Sequence, residues 1–134
     1  MDNIQKIFES QKELNEKLVP GLSKELETPE GRLKWIMNYH RAMEQESAEL
    51  LDSVDWKWWK HSNKKIDYQN LKVEIADILF FTVSIAIAAG FNHKDIVDTY
   101  FKKLKLNHER ADNGYKTGEY QKVDLDGNED NRSI

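Results

Sequence analysis

The chain contains no cysteine, and glycine and proline supply only 6 and 2 of its 134 residues. Without cysteine there is no disulfide framework, zinc ribbon or thiol catalysis. So few glycines and prolines indicate few turns, which predicts few and long secondary-structure elements. The net charge of -4 argues against a protein that wraps nucleic acid by neutralising its phosphates. At this length we expect one domain, residues 1–134, with a substantial core.

The chain also lacks an apolar run long enough to cross a membrane. Its most apolar stretch covers residues 71–91, but the part without charge, residues 78–91, is shorter than the roughly 20 residues of a membrane span. The N-terminal residues show no basic-then-apolar pattern of the kind that signal peptides have. We therefore expect a protein without a membrane partner, located in the cytoplasm.

That same stretch predicts the central helix of a soluble core, and its sequence is LKVEIADILFFTVSIAIAAGF. Its apolar residues fall on every side of a helical wheel, and such a helix is surrounded by other elements. Asp67 is suited to cap its start, and Gly90 is typical of a left-handed C-terminal cap. Two carboxylates, Glu74 and Asp77, interrupt the apolar sequence, so they need partners.

Three further helices are expected from the helical spacing of apolar residues and from capping residues. The predicted order is residues 2–18, residues 29 to about 54, the central helix, and residues 92 to about 113. Residues 115–134 are interpreted as a loop or flexible tail that could order on a ligand. The predicted fold class is all-α: a bundle of about four main helices around a buried central helix, with a partly flexible C-terminal tail.

Two pairs of acids carry the strongest chemical signal. Glu46 and Glu49 are three residues apart on the second helix, and Glu74 and Asp77 are three residues apart on the central helix. This spacing places the two carboxylates of each pair on one helix face. Packed helices lie roughly 8–10 Å apart, close enough for four carboxylates to share hard cations. Carboxylates without His or Cys favour Mg²⁺ or Mn²⁺ over zinc.

The alternative is that these acids pair with Lys and Arg in a structural network. Against it, the basic residues cluster elsewhere in the chain, at Lys57, Lys60, Lys103, Arg110 and Lys116. Acids that hold metal, with basic groups nearby, suit a polyphosphate substrate, because the metal and the basic groups together neutralise its charge.

Two other groups of residues leave a choice between a structural and a binding role. Gln11 and Asn15 lie along the apolar stripe of the first helix. They either edge that stripe and meet water or present amides that read a nucleobase. Three tryptophans, one of them Trp58, fall within four residues and are interleaved with lysines. This segment is either a surface loop pinned by aromatic anchors or a stacking platform for a base.

Taken together, these features resemble the dimeric all-α dUTP pyrophosphatases (dUTPases), a family of the all-α NTP pyrophosphatase superfamily. The acid pairs alone would place the chain only in the superfamily. The tryptophan-rich segment and the pattern NxxRxDxGYKxG are more specific. The matching segments are QKELN (11–15), ESAELLDSVDWKWWK (46–60), VEIADILFF (73–81), YFKKLKLNHERADNGYKTGEY (100–120) and GNEDN (127–131).

The resemblance implies a homodimeric, Mg²⁺-dependent enzyme that hydrolyses dUTP, and also dUDP, to dUMP, with release of pyrophosphate from dUTP. Glu46, Glu49, Glu74 and Asp77 would hold two or three Mg²⁺ ions, for which Mn²⁺ would substitute. Glu46 and Glu49 are the implied catalytic acids, and Glu46 would orient the attacking water as general base. The family picture favours attack at the β-phosphorus.

The resemblance also implies which residues bind the substrate. Gln11, Asn15 and Trp58 would contact uracil, and Phe81 would lie against the deoxyribose and disfavour a 2′-hydroxyl. The residues implied for sugar and phosphates are Lys103, Asn107, Arg110, Tyr115 and Lys116, with Lys57 or Lys60 assisting. One departure is the short connection over residues 90–95, where family members often carry extra helical sequence; it bears on how strictly uracil is selected.

Two other functions stay open. The same metal site would serve a pyrophosphatase of the superfamily that acts on dCTP or on a modified nucleotide. A non-catalytic helical protein could instead keep the fold and use the tryptophan-rich segment for docking. Such a docking protein has no use for two acids in a core helix, which favours the enzyme.

Overall fold

The computed structural model describes residues 1–61 and 65–134, and these residues form helices and turns. Within these ranges there is no β-strand, and an isolated β-bridge joins Val123 to Glu129. The all-α fold predicted from the sequence is therefore confirmed. The α-helices are α1 (Asn3–Leu18), α2 (Leu22–Glu25), α3 (Pro29–Leu50), α4 (Tyr68–Ala88) and α5 (His93–Asp112), and 3₁₀ turns cover Leu51–Ser53 and Asp130–Ser133.

α4 begins and ends at the residues that its sequence predicts. Asp67 is the N-cap, and its side chain accepts a hydrogen bond from the backbone N–H of Asn70 at 3.0 Å. At the other end Gly90 has a φ of +89°, in the left-handed region that glycine adopts without strain. The N–H of Phe91 then donates to the carbonyl of Ala86 at 2.9 Å, which completes the cap. Local interactions therefore fix both ends of α4.

The connection predicted before α3 contains a short helix, α2, that the sequence pattern did not reveal. α3 itself starts at the predicted cap, where the Thr28 hydroxyl accepts a hydrogen bond from the Gly31 N–H at 3.1 Å. A Cβ atom at Gly31 would lie 1.8 Å from the carbonyl oxygen of Glu25, the last residue of α2. The close approach of α2 and α3 therefore depends on glycine at this position.

The chain forms two compact units, Met1–Asn92 and His93–Ile134. In the first unit α4 packs against both α3 and α1, as expected of a central helix. A small core joins Phe8 of α1 to Val83 and Ala86 of α4. The second unit contains α5, followed by turns and the C-terminal 3₁₀ turn. In the first unit, α4 is thus the element that positions side chains of α1 and α3.

α4 is not covered on all sides within its unit. Ile75 and Leu79, one turn apart, are 53% and 46% exposed, and Phe80 is 47% exposed. We expected other elements to surround this helix. The sides of α4 that face α1 and α3 are covered as expected, but the side chains of these three residues are about half exposed. No single helix in the described ranges is long and apolar enough to cross a membrane. By length and composition alone, α4 and α5 taken together meet the criterion for a membrane span.

Candidate metal centre

Three of the four predicted metal-binding acids come together between α3 and α4. Glu46 lies on α3, and Glu74 and Asp77 lie one turn apart on α4. Each offers a carboxylate oxygen, and these three oxygens all lie within 4.8 Å of one another. Oxygen ligands gathered in this way suit a hard divalent cation.

Aromatic packing between α3 and α4 keeps the acid-bearing faces together. On α3, the ring centroids of Trp35 and Tyr39 are 5.4 Å apart. The Tyr39 centroid lies 6.4 Å from that of Phe81 on α4. Tyr39 precedes Glu46 by two helical turns and Phe81 follows Asp77 by one turn, so each helix carries its acid and its aromatic residue on one face.

Burial and the neighbouring acids make Glu46 harder to ionise. The pKa of Glu46 is raised from 4.5 to about 7. Burial is the largest cause, followed by hydrogen bonds with Glu74 and Glu49 and by the charges of Glu49 and Asp77. The Oε2 atom of Glu74 is buried and has no hydrogen-bond partner among the described residues. Because an unpartnered buried oxygen is costly, the cluster favours contact with a positive charge.

Basic side chains do not supply that charge within residues 1–61 and 65–134. Ion pairs in these ranges include Lys34 with Glu25, His40 with Glu44, Arg110 with Asp130, and Lys122 with Glu129. None of them includes a predicted metal-binding acid. The structural network of acids with Lys and Arg is therefore not what these residues form, and the cluster fits a divalent metal instead.

Glu49, the fourth predicted metal-binding acid, lies next to the cluster rather than in it. Its hydrogen bond with Glu46 and its charge help to raise the pKa of Glu46, but its oxygens are not part of the three-acid cluster. One of them accepts a hydrogen bond from the side chain of Gln45 at 3.2 Å. The role of Glu49 as a metal ligand stays a prediction.

Gln11 and Asn15, predicted to read a nucleobase, are buried on α1 at 6% and 5% exposure. Gln11 Nε2 donates to Asn15 Oδ1 at 2.8 Å, and Asn15 Nδ2 donates to Ser84 Oγ on α4 at 3.0 Å. The two amides therefore do not meet water at the edge of the stripe. Gln11 also lines a largely apolar groove of about 270 Å³, together with Lys6, Ile7, Ser10, Leu14 and Phe80.

The tryptophan-rich segment presents its rings to solvent. Trp58 is 89% exposed, and the ring of Trp59 lies edge-on to both Trp56 and Trp58, with centroids 5.5 and 5.7 Å apart. Lys60 is exposed beside them. Residues 62–64, which belong to the same predicted segment, lie outside the described residues. Rings this exposed are available to a base or to a protein, so the stacking and docking interpretations both stay open.

In the second unit, α5 carries three of the predicted phosphate-binding residues. Lys103, Asn107 and Arg110 step by four and three residues along the helix, so they share one face. Tyr115 and Lys116 follow α5 and are exposed. Their binding roles stay predictions.

Arg110 is already held by a carboxylate in this unit. Its Nε donates to Asp130 Oδ2 at 3.0 Å, and its Nη2 donates to Asp130 Oδ1. The Tyr120 hydroxyl donates to the same carboxylate at 2.5 Å, and the Tyr115 ring centroid lies 5.5 Å from Arg110 Cζ. The Arg110 guanidinium holds the pKa of Asp130 well below its usual range. The C-terminal 3₁₀ turn is thereby fastened to α5.

Asp130→Ala is expected to loosen the C-terminal segment, because it removes the partner of a guanidinium whose side chain is only 12% exposed. Limited proteolysis should then cut residues 115–134 faster than in the wild type. Asp126→Ala, which changes an exposed acid in the same segment, should leave the cleavage rate unchanged. Equal protection in Asp130→Ala and the wild type would show that the ion pair does not fasten the segment.

A family model described as dUTPase matches residues 3–90, which include all four predicted metal-binding acids. The chain belongs to the all-α dUTPase family. It is also 30% identical over 113 residues to the dCTP pyrophosphatase of Enterobacteria phage T4. That match covers 67% of this chain and 66% of the phage protein, and no solved structure gives a significant match.

The dUTPase family is metal-dependent, which agrees with the acid cluster on α3 and α4. The family model is described as dUTPase, and the phage relative is named a dCTP pyrophosphatase. The resemblance drawn from the sequence is thus confirmed at the level of the family.

Two residues of this dUTPase-family chain, Ser84 and Asp130, contact predicted site residues but were not themselves predicted. The sequence contained a signal for Ser84: it and Thr82 are the polar residues in the uncharged part of the central helix, and a polar residue there needs a hydrogen-bond partner. The signal for Asp130 was weaker, because this residue falls in the matching segment GNEDN but had no assigned role. In both cases the polar residue was visible in the sequence and its partner was not.

Proposed function

We propose that the chain is a Mg²⁺-dependent pyrophosphohydrolase that hydrolyses dUTP, and also dUDP, to dUMP, releasing pyrophosphate from dUTP. The observation that carries the proposal is the convergence of the Glu46, Glu74 and Asp77 carboxylates, together with a buried Glu74 oxygen that has no hydrogen-bond partner among the described residues. Polyphosphate substrates need divalent cations, and a carboxylate cluster holds such cations. The family match over residues 3–90 supports a nucleotide substrate.

Each acid has its own part in this proposal. Glu46, Glu74 and Asp77, with Glu49 beside them, would hold two or three ions of Mg²⁺ or Mn²⁺. When bound, these ions neutralise the polyphosphate and lower the pKa of a bound water. Glu46 would orient the attacking water and accept its proton. In the metal-free protein its pKa is about 7, so this carboxylate is more basic than an ordinary glutamate, and bound cations would hold it in the charged form that accepts a proton.

In the first unit, the proposed base contacts are Gln11, Asn15 and Trp58, with Phe81 against the deoxyribose. Gln11 supports this proposal because it is buried, and yet it lines a groove with largely apolar walls. Few and well-placed polar groups in an apolar recess are typical of small-molecule sites.

In the second unit, the proposed sugar and phosphate contacts are Lys103, Asn107, Arg110, Tyr115 and Lys116, and Lys60 of the first unit is proposed to assist. Two of the five N–H groups of Arg110 are engaged with Asp130, so the remaining donors could bind a phosphate without breaking that pair. Planar, bidentate donors of this kind suit phosphate oxygens.

A second candidate substrate is dCTP, and one observation favours it: the phage relative is named a dCTP pyrophosphatase. The metal site would serve either nucleotide, so the choice depends on the base contacts. A non-catalytic docking protein is less well supported, because three clustered carboxylates, one of which (Glu46) has a raised pKa, are costly in a protein that binds no cation.

Pyrophosphate release from dUTP, dCTP, dTTP and UTP, each with Mg²⁺ and with EDTA, tests the proposal. Turnover confined to dUTP and abolished by EDTA is the expected result. Turnover of dCTP in place of dUTP would keep the metal chemistry and reject the uracil contacts. No turnover of any nucleotide would reject the enzyme in favour of the docking protein.

We also propose that the protein is a homodimer. Ile75 and Leu79 on α4 are about half exposed, and so are Leu33 and Met37 on α3, each pair one helical turn apart. An apolar helix such as α4 is stable when its apolar side chains are shielded from water. A second copy of the chain, packed against these side chains, would bury them. The cytoplasmic location stays a prediction.

The mass in solution, measured by light scattering, is expected to be twice that of the 15.8 kDa chain. Leu79→Glu should shift the protein towards the monomer, because it places a charge in the apolar contact. Leu125→Glu, at a fully exposed position of the second unit, should leave the dimer intact. A wild-type protein of monomer mass would reject the dimer.

A further inference from the structure

Ser84 connects the core of α4 to the predicted base-reading amides of α1. It is 1% exposed. Its hydroxyl donates to the carbonyl of Phe80, four residues earlier, at 2.7 Å and accepts from Asn15 Nδ2 at 3.0 Å. Asn15 Oδ1 accepts in turn from Gln11 Nε2 at 2.8 Å. Ser84, Asn15 and Gln11 thus form a hydrogen-bonded relay that ends at the groove beside α1.

Ser84 sets the direction of every hydrogen bond in the relay. A serine hydroxyl has one proton, and here that proton is committed to the Phe80 carbonyl. Ser84 can therefore only accept from Asn15, which must turn its NH₂ group towards Ser84 and its oxygen towards Gln11. Gln11 must then turn its own NH₂ group towards Asn15. Half a turn of either amide would exchange donor and acceptor, and Ser84 opposes that rotation.

The relay leaves the side-chain oxygen of Gln11 available to a ligand. Among the described residues no group donates to Gln11 Oε1, and this oxygen is not one of the fully buried atoms without a partner. It therefore keeps access to solvent, while Gln11 lines the groove next to Phe80. A ligand in the groove meets a hydrogen-bond acceptor at a fixed position, with the second N–H of the same amide beside it.

We infer that Ser84 is a positioning residue for base selection: through Asn15 it fixes which atoms of Gln11 face a nucleobase. The inference rests on the proposed function, since it concerns the base of the same substrate. Uracil presents an N–H between two carbonyls, whereas cytosine presents an amino group beside an unprotonated ring nitrogen. A fixed order of acceptor and donor on Gln11 matches one of these edges in a given pose, and an amide that rotates freely matches both.

The test compares kcat/KM for dUTP and dCTP, at equal Mg²⁺, in the wild type, Ser84→Ala, Ser84→Thr and Thr82→Ala. In Ser84→Ala the ratio between the preferred nucleotide and the other should fall about tenfold, the effect of one well-placed hydrogen bond. The fall should come mainly from a higher KM for the preferred nucleotide. Ser84→Thr keeps the hydroxyl and should retain the ratio.

Thr82→Ala is the matched control. The Thr82 hydroxyl also donates to the carbonyl four residues earlier, that of Ile78, at 2.8 Å, but its other contact is with Met43 rather than with Asn15. The Thr82→Ala substitution removes a hydroxyl from the same helix and should leave the ratio of kcat/KM between the two nucleotides unchanged. If Ser84→Ala does not fold, Ser84→Cys takes its place with the same expected result, because a thiol is a weak acceptor of similar size.

Each other outcome overturns the inference in a distinguishable way. An unchanged ratio in a folded Ser84→Ala protein would show that Ser84 only packs in the core. A wild type that turns over both nucleotides equally would overturn the inference and leave the metal chemistry in place. A wild type that turns over no nucleotide would overturn the proposed function and this inference together.

Discussion

Glu74→Gln is expected to lower metal-dependent turnover by more than about a hundredfold, a larger loss than that usual for residues that only support metal ligands. Without metal, the variant should be at least as stable as the wild type. The physical reason is that Glu74 Oε2 is buried with no hydrogen-bond partner in residues 1–61 and 65–134, and the Glu74 side chain helps to raise the pKa of Glu46. A glutamine of the same size removes one charge and offers an N–H to the neighbouring carboxylates.

Turnover and thermal unfolding, each measured with Mg²⁺ and with EDTA, check this expectation. Mg²⁺ should raise the unfolding temperature of the wild type, because a ligand bound only by the folded state stabilises it, and should do so far less in Glu74→Gln. Glu44→Gln is the matched control, since Glu44 is an exposed acid of α3 that pairs with His40. Unfolding of Glu74→Gln in EDTA would instead indicate a structural ion pair. Full activity in the variant would remove Glu74 from the site.

Features set by neighbouring residues could be predicted from the sequence. Asp67 and Gly90 bound α4 as expected, because a capping carboxylate and a left-handed glycine act on their own helix. The three-residue spacing of Glu74 and Asp77 placed both carboxylates on one face of α4 for the same reason. The acid cluster was therefore accessible from helical periodicity and from the cost of charge in an apolar helix.

Features that depend on distant pairing could not be predicted. Asn15 and Ser84 are 69 residues apart in the chain, and their hydrogen bond exists only because one particular face of α1 packs on one particular face of α4. Arg110 and Asp130 are 20 residues apart, and the turns between them bring them together. The exposure of Ile75 and Leu79 also escaped prediction, because a helical wheel shows that a side is apolar and not what covers it.

Without divalent metal, the free energy of unfolding is expected to fall as the pH rises from about 4.5 to about 7. The pKa of Glu46 is about 7 in the folded protein and returns to its ordinary 4.5 in the unfolded chain. Between these values the folded state binds a proton that the unfolded state has released, so rising pH favours unfolding. The expected loss is about 1–3 kcal/mol, because one pKa unit corresponds to about 1.4 kcal/mol and partial exposure of Glu46 reduces the effect.

Denaturant unfolding in EDTA at pH 5 and pH 7.5 measures this loss. The lowered pKa values of Glu25 and Asp130 do not mimic it, because stabilisation by such groups is lost as the pH falls below their ordinary range. Glu46→Gln should flatten the decline, and Mg²⁺ at pH 7.5 should reverse it, because the cation stabilises the charged form of Glu46 and displaces its proton. A decline of equal size in Glu46→Gln would place the proton on another group. Glu46 would then lose its assignment as general base, and the acid cluster would remain only as a candidate for holding metal.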